Sequence, residues 1–392
     1  MLLLFTGLAS CTRYAILYAG SKEFYNYRHQ ADIFTIYGKL LERGFTTNNI
    51  ALYAYDDIVS DPENPFQGQV FHTIDHKTNV HPGSAAINFK GDRVTAESFY
   101  NGITSVPTTS DDYLFIYYNN HGGAGFLGTP SEDTFIEADK LAKSFDKAAS
   151  SNLYKQCLFL IEACYAGSVG EVLNAPNLAT ITASNSKESS HAAIFDEEIG
   201  VWLTNEFTSN FINLIDESPK MSVGELYNQL YALTSESHAL YYGDESIQKV
   251  PLSNFIGEPS KNVVPRRSFI PNSKPVNQRK ATDMTLDFLT RHAKPFVRAK
   301  ARIQILLRKT QTEKLETVLD SLVKYVDPKN YEKIMNDTDA KITENYFMIF
   351  NIFTEKFGKI NPDDYGRLSV IRALAATHSK DEIIQGITAV LI

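Results

Sequence analysis

The chain has 392 residues, 43% of them hydrophobic and 21% charged, and carries a net charge of -8. That length can hold a full α/β domain plus a second domain, and the acidic balance argues against nucleic-acid binding, which needs a basic face. Three cysteines are too few for a disulfide framework, and no stretch approaches the roughly 18 apolar residues that a membrane span needs.

Taken in order, the first ten residues, from Met1-Leu2-Leu3-Leu4-Phe5 to Ala9-Ser10, are apolar and then small. They match the h-region and cleavage zone of a short signal peptide without a basic n-region. An N-terminal strand extension is the alternative. Residues 1–12 are therefore expected to be a leader that directs the chain to the secretory pathway. Cys11 and Cys157 either pair with each other or stay as two buried thiols. Residues 14–20 read as the first core strand and 30–42 as a helix with Ile33, Ile36, Tyr37, Leu40 and Leu41 at helical spacing, ended by Gly44. Residues 50–55 form a second strand closing on Asp56-Asp57. This β-α-β unit implies a parallel sheet.

Residues 61–92 are rich in Pro, Gly and Asn and read as a long surface excursion. A short helix is expected at 95–103. An apolar strand beginning at Tyr113-Leu114-Phe115 then ends in His121-Gly122-Gly123, followed by a glycine-rich rim to Gly128. A helix at 138–150 leads into a second apolar run, Gln156 to Ile161, which ends in Glu162-Ala163-Cys164. In parallel α/β sheets, ligands bind outside the carboxyl ends of the strands. Two strands ending in a cysteine and a histidine predict a nucleophile and its base on one rim. The N–H groups of Gly122, which has no side chain, and of Cys164 would hold an oxyanion. Residues 178–184 read as another strand, and 201–215 and 222–235 as helices.

The texture changes at 258–280. Pro259, Pro265, Pro271 and Pro275 recur among basic residues, as in a linker. Beyond it, 281–392 reads as a separate helical bundle with helices at 284–307, 313–326, 342–357, 368–377 and 382–391. Its first half is basic (Arg291, Lys294, Arg298, Lys300, Arg302, Arg308, Lys309), so charge could dock it on the acidic remainder. Asn336-Asp337-Thr338 is a glycosylation sequon.

Asn26-Tyr27-Arg28-His29-Gln30-Ala31-Asp32, Tyr55-Asp56-Asp57-Ile58, His121-Gly122-Gly123, Ile161-Glu162-Ala163-Cys164, Gly167-Ser168 and Lys187-Glu188-Ser189-Ser190 occur in this order. Together they resemble the legumains, the asparaginyl endopeptidases that include the plant vacuolar processing enzymes. The resemblance covers about 14–257, and the linker and helices resemble that family's activation region and prodomain. It implies a caspase-like α/β core with a mostly parallel sheet flanked by helices, plus an all-helical C-terminal prodomain. It divides the chain into a peptidase domain at 13–257, an activation linker at 258–280 and the prodomain at 281–392.

The resemblance implies Cys164 as nucleophile, His121 as catalytic histidine and Asn26 as the residue that orients it. It assigns Arg28, His29, Glu162 and Ser190 to the pocket for a substrate Asn side chain. Arg28 can donate to a carboxamide C=O and Glu162 can accept from its NH₂. Such a pocket suits Asp when acid protonates it. Val201 stands where family members usually carry an acidic pocket residue, and Asn120 where they carry an Asp that can cyclise. Self-cleavage is expected at Asn277, with Asn262 and Asn272 as alternatives. Partners implied are protein or peptide substrates, the chain's own prodomain and cystatin-type inhibitors, in a lysosome- or vacuole-like compartment or outside the cell. No cofactor or metal is expected, since no His, Asp or Glu spacing resembles a zinc site. Three other readings stay open: peptide ligation from the same intermediate, a transamidase that attaches glycosylphosphatidylinositol anchors, and an inactive homologue acting as a binding module.

Overall fold

The computed structural model describes residues 12–218, 220–259 and 274–391. The expected leader up to Cys11, and Asn262 and Asn272, lie outside the described residues.

The strands in chain order are β1 (Arg13–Ala19), β2 (Ile50–Ala54), β3 (Phe89–Lys90), β4 (Tyr113–Asn119), β5 (Gly122–Gly123), β6 (Phe126–Gly128) and β7 (Phe135–Glu137). There follow β8 (Gln156–Glu162), β9 (Leu178–Thr182), β10 (His191–Asp196), β11 (Val201–Asn205), β12 (Leu240–Gly243) and β13 (Val276–Asn277). The main sheet has the order β12-β9-β8-β4-β1-β2-β3, parallel except for β12. Helices α1 (Tyr27–Glu42), α2 (Ala96–Thr104), α3 (Ala138–Ser150), α4 (Gly167–Gly170), α5 (Glu206–Glu217), α6 (Val223–Leu233) and α7 (Ser253–Ile256) surround it.

Successive residues of a strand face opposite ways, and both faces of this sheet are covered. On β4, Phe115 and Tyr117 pack in one cluster with Phe34 of α1 and Phe211 of α5. Leu114, Ile116 and Tyr118 pack in the other with Phe99 of α2 and Phe145 of α3. A strand buried on both sides must be apolar throughout, as the runs before His121 and Cys164 are. Thr95 with Ser98, and Ser222 with Glu225, cap α2 and α6 reciprocally, each stabilising its helix by about 1 kcal/mol.

The expected helix at 201–215 is instead a strand and then a helix. Val201 and Trp202 pair antiparallel with Asp196 and Phe195 of β10, around Gly200 at φ 82°. The β-branched and aromatic residues of β11 pair in a sheet, and helical periodicity starts only at Glu206. The 61–92 excursion is tied to the core by three histidine–aspartate contacts: His72 to Asp32 at 2.8 Å, His76 to Asp196 at 2.7 Å and His81 to Asp56 at 2.8 Å.

The C-terminal helices are α8 (Gln278–His292), α9 (Pro295–Val326), α10 (Tyr331–Met335), α11 (Tyr346–Phe357), α12 (Ser369–Thr377) and α13 (Lys380–Val390). The expected break near 308–312 is absent, because nothing there disrupts a helix. The break lies before Pro295, which sits at the start of α9. Residues 276–280, expected as linker, form β13 and the first turn of α8.

Charge is not the main adhesive between these helices and the sheet. Lys300 does reach Glu63 at 2.8 Å. Arg291, however, pairs with Asp287 of its own helix, Arg308 with Asp363, and Lys309 with Glu313. The contact is mostly apolar. Phe126 and Phe135 enter a cluster with Tyr346, Phe350 and Tyr365, while Leu286, Leu289, Val297 and Ala301 join the core of the sheet domain. No helix among the described residues is long and apolar enough to cross a membrane.

Candidate active site

Neighbouring strands β4 and β8 run parallel with Asn119 opposite Glu162. His121 and Cys164 follow shortly after these strand ends. Both line one cavity of about 440 Å³, together with Gly122 and Ser189. A Cβ on Gly122 would stand 2.5 Å from the Cys164 carbonyl oxygen, so only glycine lets the two rim loops approach this closely. Tyr165, next to Cys164, has φ 56°, a conformation costly for a non-glycine residue. Its N–H donates to the Glu188 carbonyl at 2.8 Å, and its own carbonyl accepts from Ser168 Oγ at 2.6 Å.

His121 Nε2 lies 2.8 Å from Asn26 Oδ1. The Asn26 NH₂ donates to the Lys22 carbonyl at 2.9 Å, which turns the amide oxygen toward the ring. Nε2 therefore carries the proton, and Nδ1 presents its lone pair. Nδ1 has no hydrogen-bond partner and lies 3.6 Å from Oδ1 of Asp363. Burial holds the imidazole well below the ordinary histidine pKa, with Arg28 and Arg308 adding to the shift. Cys164 Sγ is 3.0 Å from Ser189 Oγ and 4.0 Å from Ser190 Oγ, and burial pushes the thiol up despite these contacts. The pair stands as neutral thiol and neutral imidazole beneath the C-terminal helices. His29 packs its ring edge-on to His121 at 5.0 Å between centroids, with Nδ1 2.8 Å from Ser21 Oγ.

Arg28 is fully buried, and that burial lowers its pKa to about 10. Its Nε donates to Asn205 Oδ1 at 3.1 Å and to Gln278 Oε1 at 3.0 Å, and Nη2 also donates to Gln278 Oε1. The NH₂ of Gln278 donates to Asn205 Oδ1 at 2.9 Å and to Ser190 Oγ at 3.2 Å. A side-chain carboxamide from α8 thus fills the pocket assigned to a substrate Asn. Glu162 makes no hydrogen bond to this carboxamide but faces Ser190, which does. Its Oε2 accepts from Thr208 at 3.4 Å, its Oε1 has no partner, and burial pushes it up to about 8. Arg28 and Glu162 form no ion pair within 4.0 Å.

Val201 is not part of this pocket. It is buried in the apolar core, and Asn205, at the other end of β11, meets the guanidinium instead. Asn277 lies beside the site. It extends β13 along β10, opposite His191, and its side-chain oxygen caps α8 by accepting from Lys280 N–H at 2.9 Å. Asn120 donates to the Gly20 carbonyl. Asn205, Gln278 and Asp363 were missed in the sequence. The first was hidden by reading β11 as helix. The other two come from distant segments and carry no local signal.

The Peptidase C13 family matches residues 13–258. The chain belongs to that family. A vacuolar-processing enzyme of Citrus sinensis is 33% identical over 69% of this chain and 60% of its own length. Mouse legumain is 30% identical over 62% of this chain and 59% of its own. A hemoglobinase of Schistosoma japonicum is 27% identical over 96% of this chain and 92% of its own. The chain thus matches about three fifths of the length of the first two relatives, and nearly all of the third. In this C13 chain, the rim of the parallel sheet carries the Cys–His pair.

Proposed function

We propose that the chain is a cysteine endopeptidase that cuts after Asn and is made as a zymogen held inactive by residues 278–391. The observation that carries this reading is the Gln278 carboxamide on Arg28, beside a cavity lined by Cys164 and His121. A side chain of this type in the pocket is what a substrate Asn would present.

In the reaction, His121 Nδ1 takes the proton of Cys164 as the sulfur attacks the scissile carbonyl. Asn26 keeps Nε2–H occupied, and so holds the tautomer and steadies the imidazolium. The N–H groups of Gly122 and Cys164 hold the oxyanion, each such donor lowering the barrier by about 3 kcal/mol. The imidazolium then protonates the leaving amine, and water releases the acyl-enzyme. Substrate would lie along the β10 edge, as β13 does, with main-chain hydrogen bonds supplying affinity and the pocket supplying choice.

Gln278 blocks without being cut. Its carbonyl lies in the first turn of α8 and accepts from Thr282 Oγ1 at 3.3 Å, so it is unavailable to an oxyanion site. The resemblance to vacuolar-processing enzymes supports an acidic compartment of the secretory pathway and cleavage at Asn277 to release the tail. The test is to hold the full chain in mild acid, assay a fluorogenic peptide ending in asparagine, and repeat with Cys164→Ala. Turnover confined to the Cys164 chain supports the proposal. Turnover retained by Cys164→Ala rejects it.

A further inference from the structure

The geometry points to Asn205 as the residue that reads the NH₂ of the side chain in the Arg28 pocket, and to Asp32 as the positioning residue that aims it. This rests on the peptidase reading only in identifying that side chain with the substrate residue before the cut.

An asparagine can present either its oxygen or its nitrogen, and here the choice is made from behind. Asn205 Nδ2 donates to Asp32 Oδ2 at 3.0 Å and to Asn119 Oδ1 at 2.9 Å. Asp32 is a pure acceptor when ionised, and its oxygens also take Thr204 Oγ1, Asn119 Nδ2, the Asn205 N–H and the ring of His72. Rotating the Asn205 amide would set its oxygen against this carboxylate in a fully buried site, losing two hydrogen bonds and adding repulsion. Asn205 Oδ1 is thereby fixed toward the pocket, where it accepts from both Arg28 and Gln278.

Arg28 attracts any oxygen, charged or neutral. His29 also faces Gln278, but an imidazole donates or accepts according to its tautomer, so discrimination between carboxamide and carboxylate falls to the other half of the pocket. Ser190 stands between the occupant and Glu162, which burial holds up to about 8, so its hydroxyl can turn to either and does not discriminate. Glu162 has no contact with the occupant. Asn205 is a one-way acceptor that needs no charge, and a carboxylate would place an oxygen against it. The titratable groups around this site are Arg28, Asp32, Glu162, Cys164, His29, His72 and His121. Asn205 itself does not titrate.

The test uses the full chain, with Gln278 as the built-in occupant and alkylation of Cys164 by iodoacetamide at pH 7, followed by mass spectrometry, as the readout of opening. Gln278→Met keeps length without polar contacts, and Gln278→Glu keeps shape but swaps NH₂ for oxygen. Gln278→Glu is expected to label at least tenfold faster than wild type and faster than Gln278→Met. Adding Asp32→Asn, which lets the Asn205 amide turn, is expected to bring the Gln278→Glu chain to within about threefold of the Asp32→Asn chain. A purely structural loss at Asp32 would speed labelling instead. Labelling of Gln278→Glu equal to or slower than that of Gln278→Met overturns the inference, even if the Asp32 variant does not fold. No step needs turnover, so this outcome and the failure of the peptidase reading are separable.

Discussion

Asn26 and His121 meet at 2.8 Å, oxygen to Nε2, and the second hand of the Asn26 amide is held by the Lys22 carbonyl. This fixes which imidazole nitrogen is free to act as base. Asn26→Ala is expected to lower kcat/KM by about 10- to 100-fold, at most the lower limit of what a general base contributes because the base itself remains, while leaving the fold intact by circular dichroism. Asn26→Asp keeps the acceptor and adds charge beside the ring, so it should retain more activity and move the acid limb of the pH–rate profile upward. An unchanged profile in Asn26→Asp would show that the contact does not reach the ring.

The tail should loosen in acid through His121. Covered, this histidine is held well below its ordinary pKa by burial, Arg28 and Arg308. The docked form therefore binds fewer protons than the open form. Its advantage is complete above the ordinary histidine pKa of about 6.5 and declines as pH falls below it. Glu63 and Glu132, raised by burial, work in the opposite direction, because the docked form keeps their protons more readily. Protection of residues 276–292 against hydrogen exchange should fall between pH 7 and 5 in wild type. His121→Gln should flatten that dependence, and an equal slope in both would assign release to other groups.

Apolar packing should outweigh charge in holding the tail. Phe350 stands with its ring centroid 4.7 Å from that of Phe126 and 5.3 Å from that of Phe135. Phe350→Ala is expected to cost about 3 kcal/mol, so alkylation of Cys164 at neutral pH should rise by about 100-fold. Adding 0.5 M salt, a concentration that screens exposed pairs strongly, should change the rate by less than about threefold. A larger salt effect than mutation effect would reverse the ranking.

Cleavage after Asn277 requires the chain to slip by one residue, because Gln278 holds the pocket now. The first turn of α8 must unwind and give up the Asn277 cap on Lys280. Asn277→Gln is expected to slow loss of the tail in acid at least tenfold, read by the mass of the new C-terminus. A product ending at another residue, formed at the wild-type rate, would move the processing site.

Much of the site was legible before the fold was known. The runs ending in His121 and Cys164 are apolar because helices cover both faces of the sheet, and that signal is local. The partners that close the site are not local. Asn205 looked like a helical residue because Leu203, Phe207 and Phe211 repeat at helical spacing, whereas pairing with β10 makes 201–205 a strand. Val201 was tied to the pocket only by the resemblance, which sets it where relatives carry an acidic residue, whereas here it packs in the apolar core. Gln278 sits in a stretch read as linker, and its order comes from partners distant in sequence: the β10 edge, Arg28, Asn205 and Ser190. The basic residues of α8 and α9 suggested docking by charge, but Arg291, Arg308 and Lys309 find carboxylates on their own side.

The most direct measurement is covalent capture with a peptide that ends in asparagine bearing a thiol-reactive electrophile. Mass spectrometry of the full chain before and after mild acid locates the adduct. The expected result is an adduct on Cys164 that forms only after acid and disappears in His121→Ala and in Arg28→Ala. Equal capture by an electrophile ending in leucine, or no capture at Cys164 once the tail is gone, would contradict the account.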